Sequence, residues 1–138
     1  MFIDASAIVA ILNGEDGYEE ILKRIEDHKR EFFVSEMVRF EATVAVARAR
    51  SGKTRPDFEQ SEAAEVLVNE FCDDLEARNI DITRAIGQRA ILAARTYGKF
   101  VGHDADLNLG DCFAYACAKA YNMRIIYKGG DFARTDLA

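Results

Sequence analysis

Four acidic residues of this chain stand where carboxylates could do chemistry together: Asp4, Glu41, Asp111 and Asp131. Asp4 follows the apolar run Met1-Phe2-Ile3, which reads as a short strand buried on both faces of a parallel sheet. It precedes Ala5-Ser6-Ala7, small residues that open a helical pattern. The carboxyl end of a parallel strand is where open α/β sheets bind their ligands. The competing account is that Asp4 caps the helix after it. Asp131 repeats the placement, following the strand-like Arg124-Ile125-Ile126-Tyr127 and the turn Lys128-Gly129-Gly130. Glu41 shares a helix face with Met37, Val44 and Ala45, three or four residues away. A carboxylate on an apolar stripe needs a partner, and Arg39 or Arg48 would be the ordinary one. Asp111 lies three residues after Asn108, the spacing of a capping box, and acids suit a helix's first turn. Taken alone, that cap accounts for Asp111 completely.

Taken together, the four acids imply more. Two unit charges ~4 Å apart repel by about 4 kcal/mol at an effective dielectric near 20. Converging carboxylates must therefore raise their pKa values or admit cations. A set of oxygen donors without Cys or an obvious His suits Mg²⁺ or Mn²⁺. Such ions activate water and polarise phosphoryl oxygens, so the implied chemistry is in-line phosphodiester hydrolysis. No histidine base is required, and the chain has only His28 and His103. Cys72, Cys112 and Cys117 form no CxxC pair, which argues against a zinc site or a disulfide framework. Cys112 and Cys117 are expected in the core.

Elements that position these acids can be read in order. Helices are expected over Ser6 to Leu12, ending at Asn13-Gly14, and from Gly17 to about His28. Phe32-Phe33-Val34 reads as a second strand. Ser35 caps a helix to about Arg50, and a long helix runs from about Asp57 to Arg78 with Phe58, Val66, Leu67, Phe71 and Leu75 as its apolar face. Ile80-Asp81-Ile82 reads as a third strand, Thr83 caps a helix to about Tyr97, and Asn108 starts one ending near Tyr121. Strands alternating with helices predict a single three-layer α/β/α domain over residues 1–138, with a central parallel sheet of four to five strands.

The composition narrows the class further. At 138 residues, 49% hydrophobic and 30% charged, the chain reads as one globular domain with a substantial core. No apolar run approaches a membrane span and no signal-peptide pattern opens the chain, so a cytoplasmic protein is expected. A net charge of −6 excludes a general nucleic-acid coat but not a nuclease with local positive surface. Arg48, Arg50, Lys53 and Arg55 make the densest basic segment, read either as a solvated loop or as contact to an RNA backbone.

Four stretches together resemble the PIN-domain ribonucleases of the VapC toxin group, from type II toxin-antitoxin systems. They are Met1-Phe-Ile-Asp-Ala-Ser, Ser35-Glu-Met-Val-Arg-Phe-Glu41, Asn108-Leu-Gly-Asp-Cys-Phe-Ala-Tyr-Ala116 and Tyr127-Lys-Gly-Gly-Asp-Phe-Ala-Arg-Thr-Asp136. The resemblance spans nearly the whole chain. It implies that Asp4, Glu41, Asp111 and Asp131 are catalytic acids holding Mg²⁺ or Mn²⁺, with Asp4 and Asp111 the most direct matches. Ser6 matches a hydroxyl residue that lines the site, and Asp136 also falls in the last motif. Family members commonly carry two adjacent acids where Gly130-Asp131 stands. The resemblance further implies a homodimer, a cognate antitoxin resembling VapB, and RNA cleavage that inhibits translation. Alternatives are a PIN nuclease of RNA processing without a toxin role, or a nonenzymatic metal-bound binding module. A haloacid-dehalogenase-like phosphatase would need an acid at Ser6. A response-regulator receiver would need an acid beside Asp4.

Overall fold

The computed structural model describes residues 1–138. Four short strands form its centre: β1 (Phe2–Ile3), β2 (Phe33–Val34), β3 (Arg78–Asn79) and β4 (Ile125–Ile126). All pair in parallel in the order β3-β2-β1-β4, with Phe2 opposite both Phe33 and Ile125. Strands β1 and β4 are apolar because both of their faces are covered: Phe2, Ile3, Ile125 and Ile126 are all buried. Helices flank the sheet in a three-layer α/β/α arrangement: α1 (Ala5–Asn13), α2 (Tyr18–Asp27), α3 (Glu36–Ser51), α4 (Phe58–Asp74), α5 (Arg84–Tyr97) and α6 (Leu109–Ala120). Helix α1 packs on α2 and α3, α3 on α4, and α5 on α6. One cluster of 31 buried residues, including Cys72, Cys112 and Cys117, forms the core.

The strand order decides where a site can lie. From β1 the chain builds outward through β2 to β3, then returns to place β4 on the other side of β1. The strand order therefore reverses between β1 and β4, and a crevice opens at the carboxyl ends there. Asp4 sits at that reversal, its backbone N–H donating to the carbonyl of Ile126 at 2.9 Å.

Local signals place most helix starts. Asp4, Ser35, Asp57, Thr83 and Asn108 each accept a backbone N–H from the first turn of the following helix. Gly14 closes α1 in the left-handed region at φ 62°, a conformation that suits glycine.

Two expectations shift. Helix α4 ends at Asp74 rather than near Arg78, and Arg78–Asn79, not Ile80–Ile82, forms the third strand. Glu76 turns the chain in the left-handed region at φ 49°, which propensity does not announce for Glu. The edge strand then pairs through its backbone, Arg78 N–H to Phe32 and Ile80 N–H to Val34, so it needs no apolar side chains at the paired positions. The face that α4 buries is Ala64, Val68 and Cys72, flanked by half-buried Leu67, Phe71 and Leu75. Phe58 and Val66 point to solvent, at 80% and 49% exposure. Replacing Ile126 with alanine should cost about 2–5 kcal/mol, whereas Phe58→Ala should stay within about 0.5 kcal/mol. Urea denaturation of the two variants checks this assignment of inside and outside.

Candidate active site

Asp4 combines the two roles the sequence left open. As N-cap of α1 its Oδ2 accepts the Ser6 backbone N–H at 2.9 Å and the Ser6 hydroxyl at 2.5 Å. It is also 3% exposed and lies on the floor of a cleft of about 860 Å³. Ser6 Oγ in turn accepts the backbone N–H of Lys128 at 3.0 Å. A single hydroxyl thus ties the end of β1 to the segment leaving β4.

Glu41 reaches the same cleft from the second turn of α3. The ordinary partner proposed for it is absent, since Arg39 donates to Asn69 at 2.7 Å and sits 4.0 Å from Glu36. Arg48 lines the cleft but makes no ion pair with Glu41. The Glu41 carboxylate lies directly against Gly110 in the first turn of α6, in space that any Cβ at 110 would occupy.

Asp111 forms the capping box expected for it. Its Oδ2 accepts the Asn108 N–H at 2.8 Å, while its own N–H donates to Asn108 Oδ1 at 3.1 Å. The loop before α6 nevertheless delivers it to the cleft beside Asp4 and Glu41. Asp131 is exposed, makes no side-chain capping bond, and lines the same cleft. It stands five residues past the end of β4, a longer reach than the strand-then-acid pattern suggests.

The structure therefore brings Asp4, Ser6, Glu41, Asp111 and Asp131 to one cleft. Asp136 is placed elsewhere, accepting the Tyr115 hydroxyl at 2.7 Å and Lys119 Nζ at 2.8 Å. Its role is to pin the C-terminal segment onto α6, and Lys119 holds its carboxyl below the usual range. Of the basic segment, only Arg48 enters the cleft. Arg55 lies in an adjoining groove that Arg48 shares, Lys53 is exposed, and Arg50 donates to the Leu12 carbonyl at 3.4 Å.

Crowding shows in the acids' protonation. Burial raises the Glu41 pKa to about 7, with Asp4 and Asp111 adding to the rise. Burial likewise raises Asp111 to about 6, opposed by the Asn108 bond and reinforced by Asp4, Asp131 and Asp106. Asp4 is raised by burial, opposed by its bonds from Ser6, and raised further by Asp131. Glu41 feels Asp4 and Asp111, Asp111 feels Asp4 and Asp131, and Asp4 feels Asp131. None of these acids has a cationic partner, which is the electrostatics of a cation site. As the side chains stand, no three of them are arranged around one point to hold an ion. The fit to a hard divalent ion is one of donor chemistry and placement: carboxylate oxygens, uncompensated and facing one cleft.

Similarity to known proteins places the chain in a family. The PIN domain family matches residues 1–137. A VapC ribonuclease of Rhizobium meliloti is 48% identical over 139 residues, covering 99% of this chain and 98% of that one. Ribonuclease VapC42 of Mycobacterium tuberculosis is 33% identical over 137 residues, covering 99% and 96%. The chain belongs to the VapC family of PIN-domain ribonucleases. Among solved structures, Mycobacterium tuberculosis VapC20, a Sarcin-Ricin loop cleaving toxin, superposes with a TM-score of 0.70 at 18% identity, over 96% of this chain and 92% of that one. A toxin-antitoxin complex from Klebsiella pneumoniae gives 0.65 at 17% identity, over 99% and 92%. At those identities the likeness is one of fold.

Within this VapC fold, two site features escape a reading of residue types. Gly110 carries no functional group, and its only signal is a helix-disfavouring residue in a helix's first turn. Lys128 enters through its backbone N–H and through a 2.6 Å ion pair to Glu15, a residue that sequence places in a turn.

The raised pKa values carry a stability consequence with a definite sign. A carboxyl that holds its proton more tightly when folded stabilises the fold at low pH and loses that contribution as pH rises through its folded pKa. For Glu41 the loss runs from its ordinary 4.5 to about 7, and for Asp111 from 3.8 to about 6. In chelator, the melting temperature should therefore fall between about pH 4 and about pH 7, and Glu41→Gln should flatten that fall. Thermal melts across this range check it. A flat wild-type profile would mean that the fold does not raise the pKa values of these acids.

Proposed function

We propose that this protein is a divalent-ion-dependent endoribonuclease and the toxin of a type II toxin-antitoxin pair, acting in the cytoplasm. The observation that carries this reading is the set of unpaired carboxylates Asp4, Glu41 and Asp111, desolvated by burial at the point where the strand order reverses, with Asp131 lining the same cleft. Family membership supports it: the curated relatives named above are ribonucleases. No helix is long and apolar enough to cross a membrane.

Bound Mg²⁺ or Mn²⁺ would supply a water activated at neutral pH and charge stabilisation for the phosphoryl oxygens. Asp4, Glu41, Asp111 and Asp131 would hold it. Ser6 orients Asp4 by donating to one carboxylate oxygen, Oδ2. The Asn108 cap holds Asp111 in the same way through its Oδ2. Gly110 keeps open the space in which the Glu41 carboxylate lies. Arg48, and Arg55 in the adjoining groove, would meet the backbone of the RNA strand, with Arg50 and Lys53 further out.

Cleavage of RNA would inhibit translation, and a cognate antitoxin resembling VapB would restrain it by covering the cleft. The toxin-antitoxin complex of similar fold supports an antitoxin partner. We further propose that the protein acts as a homodimer, as its family resemblance implies.

Asp4→Asn and Asp111→Asn should each abolish Mg²⁺- or Mn²⁺-dependent RNA cleavage while circular dichroism stays that of the wild type. Gly110→Ala should displace the flexible Glu41 side chain rather than unfold α6. Its cleavage rate should drop by about tenfold or more, with little change in melting temperature. Wild-type-like cleavage by Asp4→Asn or Asp111→Asn would remove that residue from the reaction.

A further inference from the structure

The cleft contains a cation that the acid-centred account leaves without work. Lys128 is rooted two hydrogen bonds from Asp4, because its N–H donates to the same Ser6 hydroxyl that donates to Asp4. Its ammonium lies 2.6 Å from Glu15 Oε2, and both side chains remain about one-third exposed at the cleft. Besides Lys128, the only cationic side chain lining this acidic cleft is Arg48.

We propose that Lys128 is a phosphate-binding residue for the RNA strand, and that Glu15 parks its ammonium until a phosphate replaces the carboxylate. The inference rests on the ribonuclease reading for its substrate. A polyanionic strand must approach a cleft rich in carboxylates, so it needs a fixed cation close to the acids. Lysine serves as a point charge toward phosphate. A partly exposed ion pair is held weakly, so exchanging one anionic partner for another costs little. The backbone bond to Ser6 keeps the root of Lys128 in place while the four-carbon stem swings from Glu15 to the strand.

The bland account makes Lys128 and Glu15 a staple between two loops, 113 residues apart in sequence. The two accounts predict opposite signs for one variant. A staple is broken equally by Lys128→Met and Glu15→Gln. A parked phosphate ligand is lost in the first and released in the second.

The test is fluorescence anisotropy with a labelled single-stranded RNA in Ca²⁺ on ice, strand integrity being checked on a gel. It is paired with single-turnover cleavage in Mn²⁺. Lys128→Met should weaken RNA binding by about tenfold and lower the salt slope by about 0.7. Lys128→Arg should restore most of the binding. Glu15→Gln should bind RNA as tightly as wild type or tighter. In cleavage, Lys128→Met should lose rate at low RNA concentration and recover much of it at saturation. Wild-type affinity and slope in Lys128→Met, or a parallel loss in Glu15→Gln, would overturn the proposal. So would a wild type that binds no RNA. If Lys128→Met fails to fold, the sign of the Glu15→Gln effect decides. A wild type that binds RNA yet cleaves none with Mg²⁺ or Mn²⁺ would sink the nuclease reading, while the binding arm still judges Lys128.

Discussion

Burial of carboxylates without cationic partners at one edge of a sheet is the constraint to which the rest of this structure answers. The unfolded chain disperses and hydrates these charges, whereas the fold gathers Asp4, Glu41 and Asp111 into a cleft where burial raises all three pKa values and neighbouring acids add to the rise. The core opposes that cost. Phe2 and Ile3 on β1 and Ile125 and Ile126 on β4 are buried, and their pairing fixes the reversal point at which Asp4 stands. Capping bonds at Asp4 and Asp111 hold two of the acids in register with helix starts. A fold that strains against its own site when empty is stabilised by whatever cation enters it.

The sequence made the gathering legible because each acid has a recognisable local setting. An apolar triplet before Asp4, an apolar stripe around Glu41 and a capping box at Asp111 are all short-range patterns. Each also had a mundane explanation, and in two of three cases the mundane explanation is also true. Asp4 does cap α1 and Asp111 does close a capping box. Only for Glu41 does the structure remove the alternative, since Arg39 is engaged by Asn69. For Asp4 a capping role and a place in the cleft are compatible because a helix after a parallel strand starts at the edge where ligands bind. For Asp111 they are compatible because the loop before α6 brings that helix start to the same edge.

What remained illegible depends on backbone geometry and long-range approach. The third strand was displaced because Glu76 adopts a left-handed turn and the edge strand pairs through its backbone. The buried face of α4 was misassigned toward large residues, whereas close packing selected Ala64, Val68 and Cys72. Gly110 matters for the atom it lacks, and Lys128 meets Glu15 only because distant loops fold together. Asp136 shares a motif with Asp131 but turns to Tyr115 and Lys119 instead. Proximity in sequence did not translate into proximity to the cleft.

The central claim is that the coupled acids form one site for a divalent ion. Calorimetric titration of the chelator-treated protein with Mn²⁺ near neutral pH tests it most directly. The account predicts saturable binding that Asp4→Asn and Asp111→Asn each eliminate or weaken severely. It also predicts proton release on binding, because Glu41 is partly protonated near neutral pH and must ionise to ligate. Absence of saturable binding by the wild type, or unchanged binding by both variants, would contradict it.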